Sequence, residues 1–96
     1  MLCFALIAEK ADAALNPDLT VYVDAASKER TLTDWNSPAY SIVIDHHATN
    51  TLFGDLHWIE PRCAATCEMI FYLCAQMQIS LSAPLAEALL VGITTD

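Results

Sequence analysis

Asp45, His46 and His47 stand side by side at the end of the apolar run "SIVI", Ser41–Ile44. Asp24 ends a second such run, "LTVYV" at Leu19–Val23, and Asp96 follows a third apolar segment, "LAEALLVGI". Carboxylate plus imidazole is a ligand set for Mn2+, Fe2+, Co2+ or Zn2+. The carboxylate excess leans toward Mn2+ or Mg2+, and the histidine argues against Mg2+ alone. Taken singly, each residue has an ordinary explanation: Asp24 as a helix N-cap, His46 as a satisfied structural histidine, Asp96 as a chain terminus. A His-His pair flush against Asp at the end of a buried strand is different. Burying three such groups without a ligand costs several kcal/mol. His57 has no acidic strand end around it and reads as structural.

These residues need elements that bring them together. Residues 2–15, "LCFALIAEKADAAL", are rich in helix formers, and "NPD" breaks that helix. "LTVYV" and "SIVI" have the β-branched, apolar character of buried strands, and "LHWI", Leu56–Ile59, reads as a third. The polar connection "AASKERTLTDWNSPAY" has room for a short helical turn. Pro61 is expected to open a helix running to about Gln78, with Glu68 early in it, where an anion suits the helix dipole. Ser82 or Ala83 would cap a last helix, with Pro84 in its first turn, and that helix is apolar nearly all round and so expected to be buried. Continuous apolar strands joined by crossovers predict an α/β fold, a parallel sheet covered by helices. Ligands of such sheets bind beyond the carboxyl ends of the strands. Asp24 and Asp45-His46-His47 then share one sheet edge, with Asp96 placed in the same manner.

Composition narrows the function classes. The 96 residues suffice for one small domain and carry a formal charge of -8, with four Lys and Arg residues against twelve Asp and Glu. Phosphate backbones are bound mainly through Lys and Arg, so an extended nucleic-acid duplex is excluded as a general partner. A phosphorylated substrate would need its charge neutralised by a divalent ion held on acidic residues. The chain is 55% hydrophobic with a mean hydropathy of +0.38, which implies apolar surface covered by a further part of the protein or by a second copy, a homodimer. The longest apolar run, "MLCFALIA", is far short of the roughly 20 residues that a bilayer requires, and no basic flank or cleavage site marks a signal peptide. Cys63, Cys67 and Cys74 fall at helical spacing beside Ile70, Phe71 and Met77, without the paired C-x2-C of zinc modules. They are read as buried free thiols in a core helix, in a reducing, cytoplasmic compartment.

"VIDHHATN" resembles the Asp-His-His signature of the DHH phosphoesterases. "VYVDAASKERT" is similar to the segment carrying that family's second motif. The stretch "DHHATNTLFGDLHWIEPRCAATCEMIFYL" follows the family's layout, and "LLVGITTD" resembles the approach to its fourth motif. The resemblance covers roughly residues 19–96, and within the family it leans toward the hydrolases of short oligoribonucleotides that also dephosphorylate adenosine bisphosphate.

The resemblance implies a doubly wound α/β domain with helices on both faces, a pair of Mn2+ ions (Mg2+ or Co2+ as substitutes), and two-metal hydrolysis in which water attacks phosphorus. It implies Asp24, His46 and Asp96 as metal ligands, His47 facing the substrate phosphate, and Asp45 orienting a histidine from behind. The implied substrates are short oligonucleotides or nucleotide bisphosphates. Two other readings are a non-catalytic regulatory or assembly module and a relative of inorganic pyrophosphatases. The family's first motif, Asp-x-Asp, has no match: the only aspartate before Asp18 is Asp12. Residues 1–96 are therefore expected to be an internal piece of the catalytic domain, without the first motif and the substrate-gripping domain, and inactive by themselves.

Overall fold

A computed structural model describes residues 17–31 and 40–96. The helix expected over 2–15 lies outside them. Three strands, β1 (Leu19–Val23), β2 (Tyr40–Asp45) and β3 (Leu56–Ile59), form a parallel sheet in the order β1-β2-β3. Two helices follow, α1 (Thr66–Gln76) and α2 (Ala83–Thr95), and a short 3-10 turn over Lys28–Thr31 occupies the polar connection after β1. The fold is α/β, as expected.

The central strand explains why its sequence is apolar without alternation. On one face Ile42 and Ile44 pack with Cys63, Met69, Ile70 and Leu73, so α1 covers β2 there. On the other face Val43 is fully buried, and the loop after β2 lies against it. Gly54 permits that approach: a Cβ there would stand 2.7 Å from Val43 Cγ2. The loop is further fixed by the Thr51 N–H to the Ala26 carbonyl at 2.9 Å and by the Phe53 ring edge-on to Tyr22 at 5.2 Å. Burying a Val or Ile fully is worth about 1.5–3 kcal/mol, so β2 anchors the sheet. β1 is less covered: Leu19, Val21 and Val23 are about half exposed.

The helices depart from expectation in three ways. α1 begins at Thr66, not at Pro61. The preceding residues turn instead, with the Cys63 N–H on the Glu60 carbonyl and Ala65 extended at φ -158, ψ 157. Cys63 therefore precedes the helix and shares no stripe on it. The far end is closed by a Schellman arrangement, Ile79 N–H to the Cys74 carbonyl and Gln78 N–H to the Ala75 carbonyl, with Gln78 left-handed at φ 57. Second, Phe71 and Met77 point outward, 41% and 61% exposed. Third, α2 is not buried all round: Leu89 is buried, while Leu90 and Val91 are exposed. Its cap is Ser82, whose Oγ accepts the Leu85 N–H at 3.3 Å. Cys63 and Cys74 are buried free thiols, and Cys67 is partly buried. No helix among the described residues is long and apolar enough to cross a membrane.

Candidate metal centre at the carboxyl edge of the sheet

Parallel pairing carries the ladder to the strand ends. The Asp24 N–H reaches the Ile44 carbonyl and the Glu60 N–H reaches the Asp45 carbonyl, both at 3.0 Å. Residues just beyond β1 and β2 thus emerge at one edge. Asp24 then turns left-handed, φ 61, a conformation that Asp tolerates better than most side chains. One atom from each of Asp24, Asp45, His46 and His47 lies within 4.8 Å of the others.

Asp96 reaches the same point from α2. α1 and α2 touch where Gly92 faces Cys67; a Cβ at 92 would stand 2.9 Å from Cys67 Cβ and overlap its sulfur. That close contact directs the end of α2 to the sheet edge, where Asp96 Oδ2 lies 2.8 Å from His46 Nε2. All five residues expected at the site are therefore together.

His46 is the centre of this cluster. Its Nδ1 faces the Cys63 carbonyl at 3.2 Å. A carbonyl only accepts, so the ring proton belongs on Nδ1 and Nε2 carries the lone pair. That Nε2 faces Asp96 Oδ2 and, at 3.5 Å, Asp24 Oδ1. It is buried and, despite the short distance to Asp96, has no geometrically acceptable hydrogen bond. A nitrogen lone pair and two carboxylate oxygens converging on one point are mutually repulsive unless a cation lies between them. A proton on His46 would relieve part of this. A divalent metal suits the whole donor set, one imidazole and two carboxylates.

Asp45 has a different place. It is fully buried, and both its oxygens are used: Oδ1 lies 2.7 Å from His47 Nδ1 and Oδ2 accepts from Asn50 Nδ2 at 2.8 Å. Burial pushes its carboxyl up, but the bonds from Asn50 and His47, with the His47 charge, outweigh that and hold it below the ordinary carboxylate value. Asp45 is therefore committed to holding His47 and Asn50. His47 is partly exposed, 43%, and its Nε2 is the ring's remaining polar atom.

Two residues that sequence reasoning assigned no role complete the edge. Asn50 joins Asp45 to the Ala25 carbonyl (3.0 Å), stapling the ends of β2 and β1. Thr66 donates its hydroxyl to Asp24 Oδ1 at 3.1 Å. Both lie within the family-like stretches, but nothing in spacing shows that partners lie five and forty-two residues away. His57 takes no part: its Nε2 accepts the Gly54 N–H. Beside the site Glu60 forms a two-bond pair with exposed Arg62, both 2.9 Å, and that pairing lowers the Glu60 carboxyl to about 2.

A parallel α/β sheet with carboxylates and imidazoles gathered on its carboxyl edge defines a class of candidate metal-site proteins. The sequence matches the DHH family, N-terminal domain, over residues 3–93, and the chain belongs to that family. It is 40% identical over 86 residues to the uncharacterized protein MG371 homolog of Mycoplasma pneumoniae, covering 88% of this chain and 26% of that protein. It is 38% identical over 86 residues to MG371 of Mycoplasma genitalium, with the same coverage. It is also 42% identical over 57 residues to the bifunctional oligoribonuclease and PAP phosphatase NrnA of Thermus thermophilus, covering 59% of this chain and 18% of that protein. The chain thus spans about a quarter or less of the curated relatives it matches.

Proposed function

We propose that this chain supplies part of the catalytic domain of a metal-dependent phosphoesterase, a hydrolase of short oligoribonucleotides or nucleotide bisphosphates. One observation carries the reading: the buried His46 Nε2, without a hydrogen bond, directed at the carboxylates of Asp24 and Asp96. Membership of the DHH family and likeness to a protein named for oligoribonuclease and PAP phosphatase activity supply the substrate class.

In this reading Asp24, His46 and Asp96 hold Mn2+, with Mg2+ or Co2+ as substitutes, and the Cys63 carbonyl keeps the His46 lone pair on Nε2. When bound, the metal supplies Lewis-acid activation of water and neutralises charge on the phosphate. Asp45 accepts the His47 Nδ1–H and fixes the ring, so His47 Nε2 is available to hydrogen-bond a phosphate oxygen. Asn50 keeps Asp45 in place and ionised. In the whole protein a doubly wound sheet would bring an Asp-x-Asp strand with ligands for a second ion, and a further domain would grip the substrate. The free thiols and net charge of -8 suit a reducing cytoplasm and short substrates neutralised by metal.

The test is hydrolysis by the full-length protein of a dinucleotide, adenosine bisphosphate and pyrophosphate, with Mn2+ and with EDTA. Mn2+-dependent cleavage of either of the first two, lost in His46→Ala, is expected. Inactivity on all three, or activity indifferent to EDTA, would sink the proposal.

A further inference from the structure

Thr66 is almost fully buried, 6% exposed, yet it is polar, and packing alone would be served by the near-isosteric valine. It is the first residue of α1, behind Ala65, which offers no side-chain cap. A hydroxyl at a helix start ordinarily serves its own helix. Here the α1 start has no side-chain cap, and Glu68 reaches back past it to accept the Ala64 N–H at 2.8 Å. The Thr66 hydroxyl instead crosses to the end of β1 and donates to Asp24 Oδ1.

Asp24 needs such a partner. Its side chain is 55% exposed, and His46 Nε2, 3.5 Å from the same oxygen, makes no hydrogen bond with it. Without Thr66 the carboxylate would rotate freely into water, and ordering it would have to come out of the free energy of ion binding. With the hydroxyl on Oδ1, the plane of the carboxylate is set beside His46 beforehand.

We infer that Thr66 is a positioning residue: its hydroxyl orients the Asp24 carboxylate for the cation that Asp24, His46 and Asp96 share. The inference rests on the metal reading of the site. Removing a hydrogen-bond partner of a metal ligand typically weakens metal affinity about 10- to 100-fold. Thr66→Val keeps the volume and removes the donor, whereas Thr66→Ser keeps the donor and removes a buried methyl.

The experiment is titration of the full-length protein with Mn2+ alone, free ion being read by EPR up to millimolar concentration, with urea unfolding of each variant alongside. Thr66→Val is expected to bind at least tenfold more weakly than wild type, and Thr66→Ser within about threefold, even where Ser unfolds more easily. Equal affinity of Thr66→Val and wild type overturns the inference and leaves the metal reading standing. So does a Thr66→Ser as weak as Thr66→Val, since methyl packing would then be the cause. If Thr66→Val does not fold, Thr66→Ser decides: a loss above tenfold overturns the role. A wild type that binds no Mn2+ overturns the metal reading itself, and this inference with it.

Discussion

Asn50→Ala tests whether the sheet edge is held as described. Asn50 Nδ2 donates to Asp45 Oδ2 and to the Ala25 carbonyl, and its Oδ1 accepts the Leu52 N–H. The bond to the carboxylate is worth about 1.5–3 kcal/mol and the one to the carbonyl about 0.5–1.5. Leu52 is exposed, so water replaces the third. The sum is a loss of about 3 kcal/mol, against a total stability of about 5–14 kcal/mol for a domain of this length.

The loss carries a pH signature. Wild-type Asp45 titrates below its ordinary value, so its ionised form contributes stability above roughly pH 4 that fades as pH falls through the folded-state pKa. In Asn50→Ala the largest counterweight to burial is gone and the Asp45 pKa rises. The gap between wild type and variant is then full at pH 7 and narrows as pH falls through the variant's raised pKa toward the wild type's. Urea unfolding of both proteins from pH 7 to pH 3 measures it. A loss under about 1 kcal/mol at pH 7, or a gap unchanged across that range, would refute the account of Asp45 as a charge held chiefly by Asn50.

Further outcomes follow from other contacts. Gly92→Ala drives a methyl into Cys67 and must part the helices, costing about 1–3 kcal/mol; because α2 carries Asp96 to His46, Mn2+ affinity should fall with it, and a variant unchanged in both would contradict the helix contact. Burial, with Glu68 and Glu60 nearby, pushes the Cys63 thiol up. The native state then keeps a proton that the unfolded chain loses, so this stability is full below about pH 8.5 and declines as pH rises. Unfolding midpoints at pH 8 and pH 10 should fall more in wild type than in Cys63→Ala, and parallel declines would exclude Cys63 as the cause. Mn2+ at 100 times its dissociation constant should stabilise the fold by about 2.7 kcal/mol and EDTA should remove that gain; His46→Ala should show neither change.

Residue type alone located β1, β2 and β3, because β-branched and apolar residues favour strands, but only β2 is buried as expected; β1 and β3 keep half-exposed side chains. The same logic placed Asp24 and Asp45-His46-His47 on one edge: parallel strands present their carboxyl ends together whatever the detailed packing. Local rules were less able to fix where helices start and what they bury. Pro61 suits a first turn, but the Cys63 carbonyl is needed by His46 and the chain turns until Thr66. α2 is apolar all round, yet its burial depends on what packs against it, which composition cannot show.

The sequence also determined which groups could bind a cation, since ligand chemistry is a property of residue type. Which of them face one another was decided only by tertiary structure. Asn50 and Thr66 are ordinary polar residues in the sequence, and become specific where folding leaves one buried carboxylate and one half-exposed carboxylate each within reach of a donor. Asp96 reaches His46 because Gly92 lets two helices touch. The orphaned lone pair of His46, which points to a metal, exists only once β1, β2, the turn at Cys63 and α2 have converged on it.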